Sequence, residues 1–80
     1  MISMTDYKVF RSNLFEEADP TLYDWTLSAR FCDGSVTRTK INQVSGDQIV
    51  DSCKASLRLD DYIERIFIWC GDRWYGEVYR

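Results

Sequence analysis

Residues 25–41 read WTLSARFCDGSVTRTKI, and this stretch decides the fold. Apolar and polar side chains alternate over residues 25–31, which predicts a strand with one buried and one exposed face. Asp33-Gly34 supplies a short polar turn, and residues 36–41 return as the partner strand. The stretch therefore predicts an antiparallel hairpin.

The length of the loop sets the register of this hairpin. If residues 32–34 form a three-residue loop with Gly34 in the left-handed conformation, Arg30 lies opposite Val36, and Arg38 and Lys40 share their outer face. A two-residue loop would instead turn both cations toward the apolar face. Because charged side chains avoid burial, the first register is favoured.

A helix follows the hairpin. Ser45-Gly46-Asp47-Gln48 has the residue types of a capping box, in which a serine and a glutamine three positions on bond each other's backbone amides. Acids precede bases along the polar stripe of residues 46–58, as the helix dipole favours. The same range carries apolar residues at helical spacing: Ile49, Val50, Cys53 and Leu57.

Two further strand regions flank these elements. Residues 5–15 alternate roughly between polar and apolar side chains and predict a first strand. At the other end, residues 66–70 and 73–79 pair around Gly71-Asp72, a glycine-first turn of the type II′ kind. This second hairpin places Trp69 across from Trp74.

The order β-β-β-α-β-β predicts one α+β domain over residues 1–80, with a mainly antiparallel sheet of about five strands and one amphipathic helix on one face. The expected core between sheet and helix consists of Leu27, Phe31, Ile49, Cys53, Leu57 and Phe67. The chain has twelve aromatic residues, three Trp, five Tyr and four Phe, which is more than one short helix can cover. Some aromatic surface is therefore expected to be exposed.

Composition limits the classes of function. Hydrophobic residues make up 45% of the 80 residues and the net charge is −3, so non-specific attraction to nucleic acid is disfavoured and no direct nucleic-acid contact is expected. The longest apolar run, residues 66–70, is too short to span a bilayer, and residues 1–15 lack the apolar core of a secretory signal. A cytoplasmic protein is expected.

The side chains that perform most catalysis are missing. There is no histidine, which removes the usual general base and the Ser-His-Asp and Cys-His templates. Cys32, Cys53 and Cys70 are widely spaced and lack a fourth ligand, so we expect three free thiols with no metal. No phosphate-binding glycine motif is present, and neither an enzyme nor a cofactor is predicted.

Carboxylates cluster in two predicted loops. The candidate partner-binding residues are Glu16, Glu17 and Asp19 in the first loop and Asp60, Asp61 and Glu64 after the helix. Such groups could pair with lysines and arginines of a partner and accelerate association, or they could simply keep a small domain soluble.

Binding also needs a buried aromatic anchor, for which Trp74 and Tyr75 are the candidates. Tyr75, Tyr79 and one tryptophan could project from the sheet away from the helix. Alternatively, Trp69 and Trp74 serve only as a cross-strand pair that stabilises the hairpin.

In its small size, its acidity and its lack of catalytic motifs, the chain resembles the phage-encoded inhibitors of bacterial defence, anti-CRISPR proteins among them. The resemblance covers the whole chain in size and charge and includes no family motif, so no functional residue is carried over. It implies a non-enzymatic inhibitor in the host-cell cytoplasm that occupies a basic, nucleic-acid-handling surface of a larger protein or ribonucleoprotein complex.

Two alternatives remain open. The first is a small nucleic-acid-binding or transcription-regulating domain that uses the basic outer face of the first hairpin, Arg30, Arg38 and Lys40, with Lys8 or Arg11 beside it. The second is an accessory subunit whose aromatic surface is buried in an oligomer.

Overall fold

The computed structural model describes residues 8–11 and 21–80. Its elements are β1 (Lys8–Arg11), β2 (Tyr23–Phe31), β3 (Val36–Val44), α1 (Gly46–Leu59), β4 (Ile63–Cys70) and β5 (Arg73–Tyr79). The five strands form one sheet in the order β1-β5-β4-β2-β3, and all pairings are antiparallel. The predicted α+β class and element order are confirmed. The rest of the predicted first strand, residues 5–7 and 12–15, lies outside the described residues.

The first hairpin has the predicted register, and the second has the predicted pairing at its turn. Arg30 pairs with Val36, and Gly34 takes a φ of +89°, as the three-residue loop requires. At the second turn Gly71 has a φ of +64°. Trp69 pairs with Trp74 there.

The helix begins at the predicted capping box. Ser45 Oγ accepts from the amide of Gln48 at 3.3 Å, and Gln48 Oε1 accepts from the amide of Ser45 at 2.8 Å. At the other end the Arg80 guanidinium donates to the carbonyls of Leu57, Asp60 and Ile63, at 2.9 Å for Asp60 and 3.0 Å for Ile63. The contacts with Leu57 and Asp60 satisfy carbonyl oxygens that lack intrahelical partners at the helix end, and the contact with Ile63 joins the same side chain to the start of β4.

The core lies between α1 and one face of the sheet. Four of the predicted members, Leu27, Ile49, Cys53 and Leu57, are buried. Phe31 is only partly buried and packs at the margin of the core. Phe67 was assigned to the wrong face: the buried positions of β4 include Ile66 and Ile68, and Phe67 between them points away from the helix.

Tyr75 is also part of this core, because it is 2% exposed. Its ring meets that of Trp25 edge-on with centroids 4.8 Å apart, and Trp25 Nε1 donates to the carbonyl of Val44 at 2.9 Å. A β-carbon at Gly46 would lie 2.6 Å from the Tyr75 hydroxyl. Glycine therefore allows the start of the helix to approach the sheet this closely.

Candidate functional site

The side of the sheet opposite α1 is not covered by any other described element, and we call it the open face. Directly paired residues of an antiparallel sheet project to the same side, so the strand registers identify its members. They are Lys8 and Phe10 on β1; Trp74, Glu77 and Tyr79 on β5; Arg65, Phe67 and Trp69 on β4; Thr26, Ser28 and Arg30 on β2; and Val36, Arg38 and Lys40 on β3.

Aromatic side chains occupy the β1, β5 and β4 part of the open face. Phe10 stacks on Trp74 with ring centroids 5.4 Å apart and an interplanar angle of 19°. Trp74 is paired in register with Trp69, and Phe67 lies two positions before Trp69 on the same strand. The aromatic rings thus continue from one edge of the sheet to its central strand.

Cations occupy the rest of the open face. Arg30, Arg38 and Lys40 are exposed, and no salt bridge joins them to a carboxylate within residues 8–11 and 21–80. Arg65 differs, because its Nη1 lies 3.1 Å from Glu77 Oε2, its Nε lies 3.9 Å from Glu64 Oε1, and its guanidinium carbon is 5.3 Å from the centre of the Tyr79 ring. The cations available to a ligand are therefore mainly those of β2 and β3.

A groove of about 510 Å³ lies where the aromatic and cationic parts meet. Its wall includes Trp69 from β4, the hydroxyl residues Thr26 and Ser28 from β2, and Arg38 and Lys40 from β3. Thr26 is paired with Lys40 on one side and with Trp69 on the other, so an ammonium group, a hydroxyl and an indole lie next to each other on three neighbouring strands. The groove can therefore offer positive charge, hydrogen-bonding groups and aromatic surface together.

The acidic residues predicted to bind a partner are only partly described. Glu16, Glu17 and Asp19 lie outside the described residues. Asp60 and Asp61 lie in the connection between α1 and β4, where Asp60 Oδ1 accepts from the amide of Tyr62 at 2.9 Å. We call Leu59, Asp60, Asp61 and Tyr62 the acidic end, in which Leu59 and Tyr62 are exposed.

A second pocket, of about 340 Å³, adjoins the acidic end and is lined in part by Phe31, Cys32, Asp33 and Tyr62. Two hydrogen bonds from Ser35, from its hydroxyl at 2.6 Å and its amide at 2.9 Å, lower the pKa of the Asp33 carboxyl. Asp33 is thus an ionised group engaged in its own turn, and it adds negative charge to this end of the molecule.

The two proposed aromatic anchors are separated by the structure. Trp74 is partly buried on the open face and is positioned to contribute to an interface. Tyr75 lies on the helix side within the core, so the interpretation of Tyr75 as a surface anchor is wrong. Tyr75 alternates with Trp74 to the helix side, and the register shift between Ile68 and Trp69 inserts it as an extra residue opposite β4, so Tyr75 and Tyr79 lie on opposite faces.

Phe10 and Phe67 are members of the open face that the sequence pattern did not indicate. Once Trp69 is placed outward, the period of two along β4 also places Phe67 and Arg65 outward. For Phe10, the missing information was the pairing of β1 with β5, which a single sequence does not display.

The described residues contain no cluster of three or more His, Cys, Asp or Glu side chains arranged for a metal ion. Burial raises the pKa of the Cys53 thiol to about 12 and also raises the pKa of Cys70. Neither thiol is therefore an activated nucleophile. No helix in the described part of the chain is long and apolar enough to cross a membrane.

Comparisons with protein-family models, curated proteins and solved structures gave no match to this chain. The open face and the acidic end are the two described surfaces whose chemistry indicates a function.

Proposed function

We propose that this chain is a non-enzymatic binding protein that acts by occupying a surface of a larger, nucleic-acid-handling complex, and that the open face is its contact surface. The observation that carries the proposal is the continuity of aromatic and cationic side chains across all five strands. Aromatic residues and arginine are the types that most often dominate binding energy at interfaces.

The charge of the open face indicates the charge of the partner surface that it binds. Its β2 and β3 cations have no carboxylate partner among the described residues, so an anionic surface would gain favourable contacts without displacing internal ion pairs. The net charge of the whole chain suggested a basic partner instead. The local arrangement of charge favours an anionic one at this surface.

The acidic end supports a second candidate, the anti-CRISPR-type inhibitor that docks on a basic surface. Asp60 and Asp61 lie between two exposed apolar side chains, Leu59 at 87% and Tyr62 at 74%. An exposed tyrosine beside two carboxylates has the composition of a small anchor with charged neighbours. This candidate would use the acidic end and leave the open face free.

Affinity capture from an extract of the native host, followed by quantitative mass spectrometry, separates the two candidates. The baits are the wild type, the double variant R38Q/K40Q on the open face, and D60N/D61N at the acidic end. Asn retains the side-chain oxygen that Asp60 uses to accept from the Tyr62 amide. D60N/D61N therefore removes charge with little disturbance of the fold.

The open-face proposal requires that a partner complex retained by the wild type is lost from R38Q/K40Q and kept by D60N/D61N. The reverse pattern would replace it with the acidic-end candidate. Equal retention by all three baits would contradict both.

A further inference from the structure

We infer that the ligand of the open face is single-stranded nucleic acid, with one base stacked on Trp69 in the groove and the phosphates following Arg38 and Lys40. This inference rests on the proposed function, because it names the part of the partner complex that contacts the open face.

The first support is the spacing of charge along β3. Arg38 and Lys40 are two residues apart on one face of an antiparallel strand, which separates their Cα atoms by about 6.8 Å along the strand. Successive phosphates of one strand in a stacked helix are about 3.4 Å apart along the axis. Two cations at this spacing therefore match phosphates two steps apart in a stacked strand.

The second support is the aromatic wall beside these cations. Trp69 lines the same groove as Arg38 and Lys40, so a nucleotide can place its base against the indole while its phosphate reaches the guanidinium or ammonium group. Thr26 and Ser28 supply hydroxyl donors and acceptors between them. Proteins that bind single strands combine a positively charged groove with aromatic stacking platforms in this way.

The stacked pair of Phe10 and Trp74 extends the aromatic surface toward the β1 edge. Because Trp74 is paired with Trp69, a strand leaving the groove in this direction continues to meet aromatic side chains. Each base has a flat aromatic face, whereas an acidic peptide would pair with the cations and leave these rings without planar partners.

The aromatic part of the open face favours an unpaired strand over a duplex. Base faces in a duplex are stacked and inaccessible, so the aromatic wall selects an unpaired strand.

Fluorescence anisotropy with 12-nucleotide oligo-dT and oligo-U, each labelled at one end, tests the inference directly with purified protein. The competitors are a 12-base-pair duplex and poly-glutamate of matched charge. The inference requires binding of at least one single strand in preference to both competitors, with quenching of tryptophan fluorescence. The inference would be overturned if poly-glutamate or the duplex bound as tightly as the single strands and displaced them.

Two sets of variants locate the ligand. R38Q/K40Q should reduce the slope of log affinity against log salt by about 1.4, since each lost phosphate contact on a single strand contributes about 0.7. The matched control K54Q/R58Q removes the same charge from the helix and should leave the slope unchanged. Equal effects of the two double variants would mean that only net charge matters, and the placement of the ligand in the groove would be wrong.

Trp69→Leu keeps an apolar side chain and removes the flat aromatic one. It should weaken binding by about 5- to 140-fold, and Trp69→Phe should recover part of the loss. Far-ultraviolet circular dichroism confirms that each variant remains folded. A folded Trp69→Leu variant with wild-type affinity would contradict the stacking of a base on Trp69.

The result also separates this inference from the proposed function. If no single strand binds while capture of the host complex still depends on Arg38 and Lys40, the open face remains the contact but the ligand is a protein. If capture depends on Asp60 and Asp61 instead, the proposed function itself fails.

Discussion

Leu57 and Leu59 provide an internal test of the placement of the helix. They are separated by two positions in the last turns of α1, and their exposed fractions are 0% and 87%. Leu57→Ala removes three buried carbon atoms at the interface with the sheet and should reduce the free energy of unfolding by about 2–5 kcal/mol. The same substitution at Leu59 removes solvated atoms and should change stability by less than about 0.5 kcal/mol.

The size of the chain makes this difference easy to measure. At about 0.05–0.15 kcal/mol per residue, 80 residues give a total stability of roughly 4–12 kcal/mol, so Leu57→Ala removes a large share of it. Each kcal/mol lowers the melting temperature of such a domain by about 4–8 °C. Urea unfolding followed by circular dichroism, with thermal melts as a second probe, gives both quantities.

A milder variant keeps the comparison measurable if Leu57→Ala does not fold. Leu57→Met conserves volume and should cost less than about 1.5 kcal/mol. The placement of α1 would be refuted if Leu59→Ala destabilised the protein as much as Leu57→Ala does, or if Leu57→Ala were neutral.

Three further predictions concern the ends of the helix and its buried thiol. Ser45→Ala breaks the capping box and should cost about 0.5–2 kcal/mol in urea unfolding; an unchanged midpoint would mean that the cap contributes nothing. Arg80→Lys loses the planar set of donors that reaches the carbonyls of the helix end, and we expect a loss of about 1–3 kcal/mol by the same assay, which wild-type stability would contradict. The raised pKa of Cys53, about 12, makes the folded state hold its proton more strongly than the unfolded state, so its contribution to stability is fully present below pH 9 and is lost between pH 9 and 12. Over that range the wild type should lose up to about 1.4 kcal/mol per pH unit more than Cys53→Ala, and parallel stability curves for the two proteins would contradict this.

The first hairpin and the helix could be predicted because their sequences have a clear period. Residues 25–31 alternate strictly, and the register followed from the position of Gly34. The helix combines a capping box with apolar residues at a spacing of three and four. In both cases the local pattern and the tertiary packing agree, and the boundaries differ by only a few residues.

The faces of β4 and β5 could not be predicted, because the pattern there is ambiguous. Residues 66–70 are all apolar, so no alternation indicates which of Phe67 and Ile68 faces the helix. Pairing with β2 decides it, since Leu27 lies opposite Ile68 and both are buried. The sequence also suggested one face for Tyr75 and Tyr79, and the register shift that separates them is a tertiary feature.

The open face also explains how an acidic chain can carry a surface suited to an anion. The shortest dimension of the molecule is 20 Å, and charges in physiological salt are screened over about 8 Å. Asp47 and Asp51 are exposed on α1, on the other side of the sheet from the groove, so their repulsion of an anionic ligand is weak at contact. Arg38 and Lys40 line the groove itself and act at short range. Net charge therefore governs the approach of a partner at low salt, whereas the local arrangement of cations and aromatic rings determines what the open face can bind.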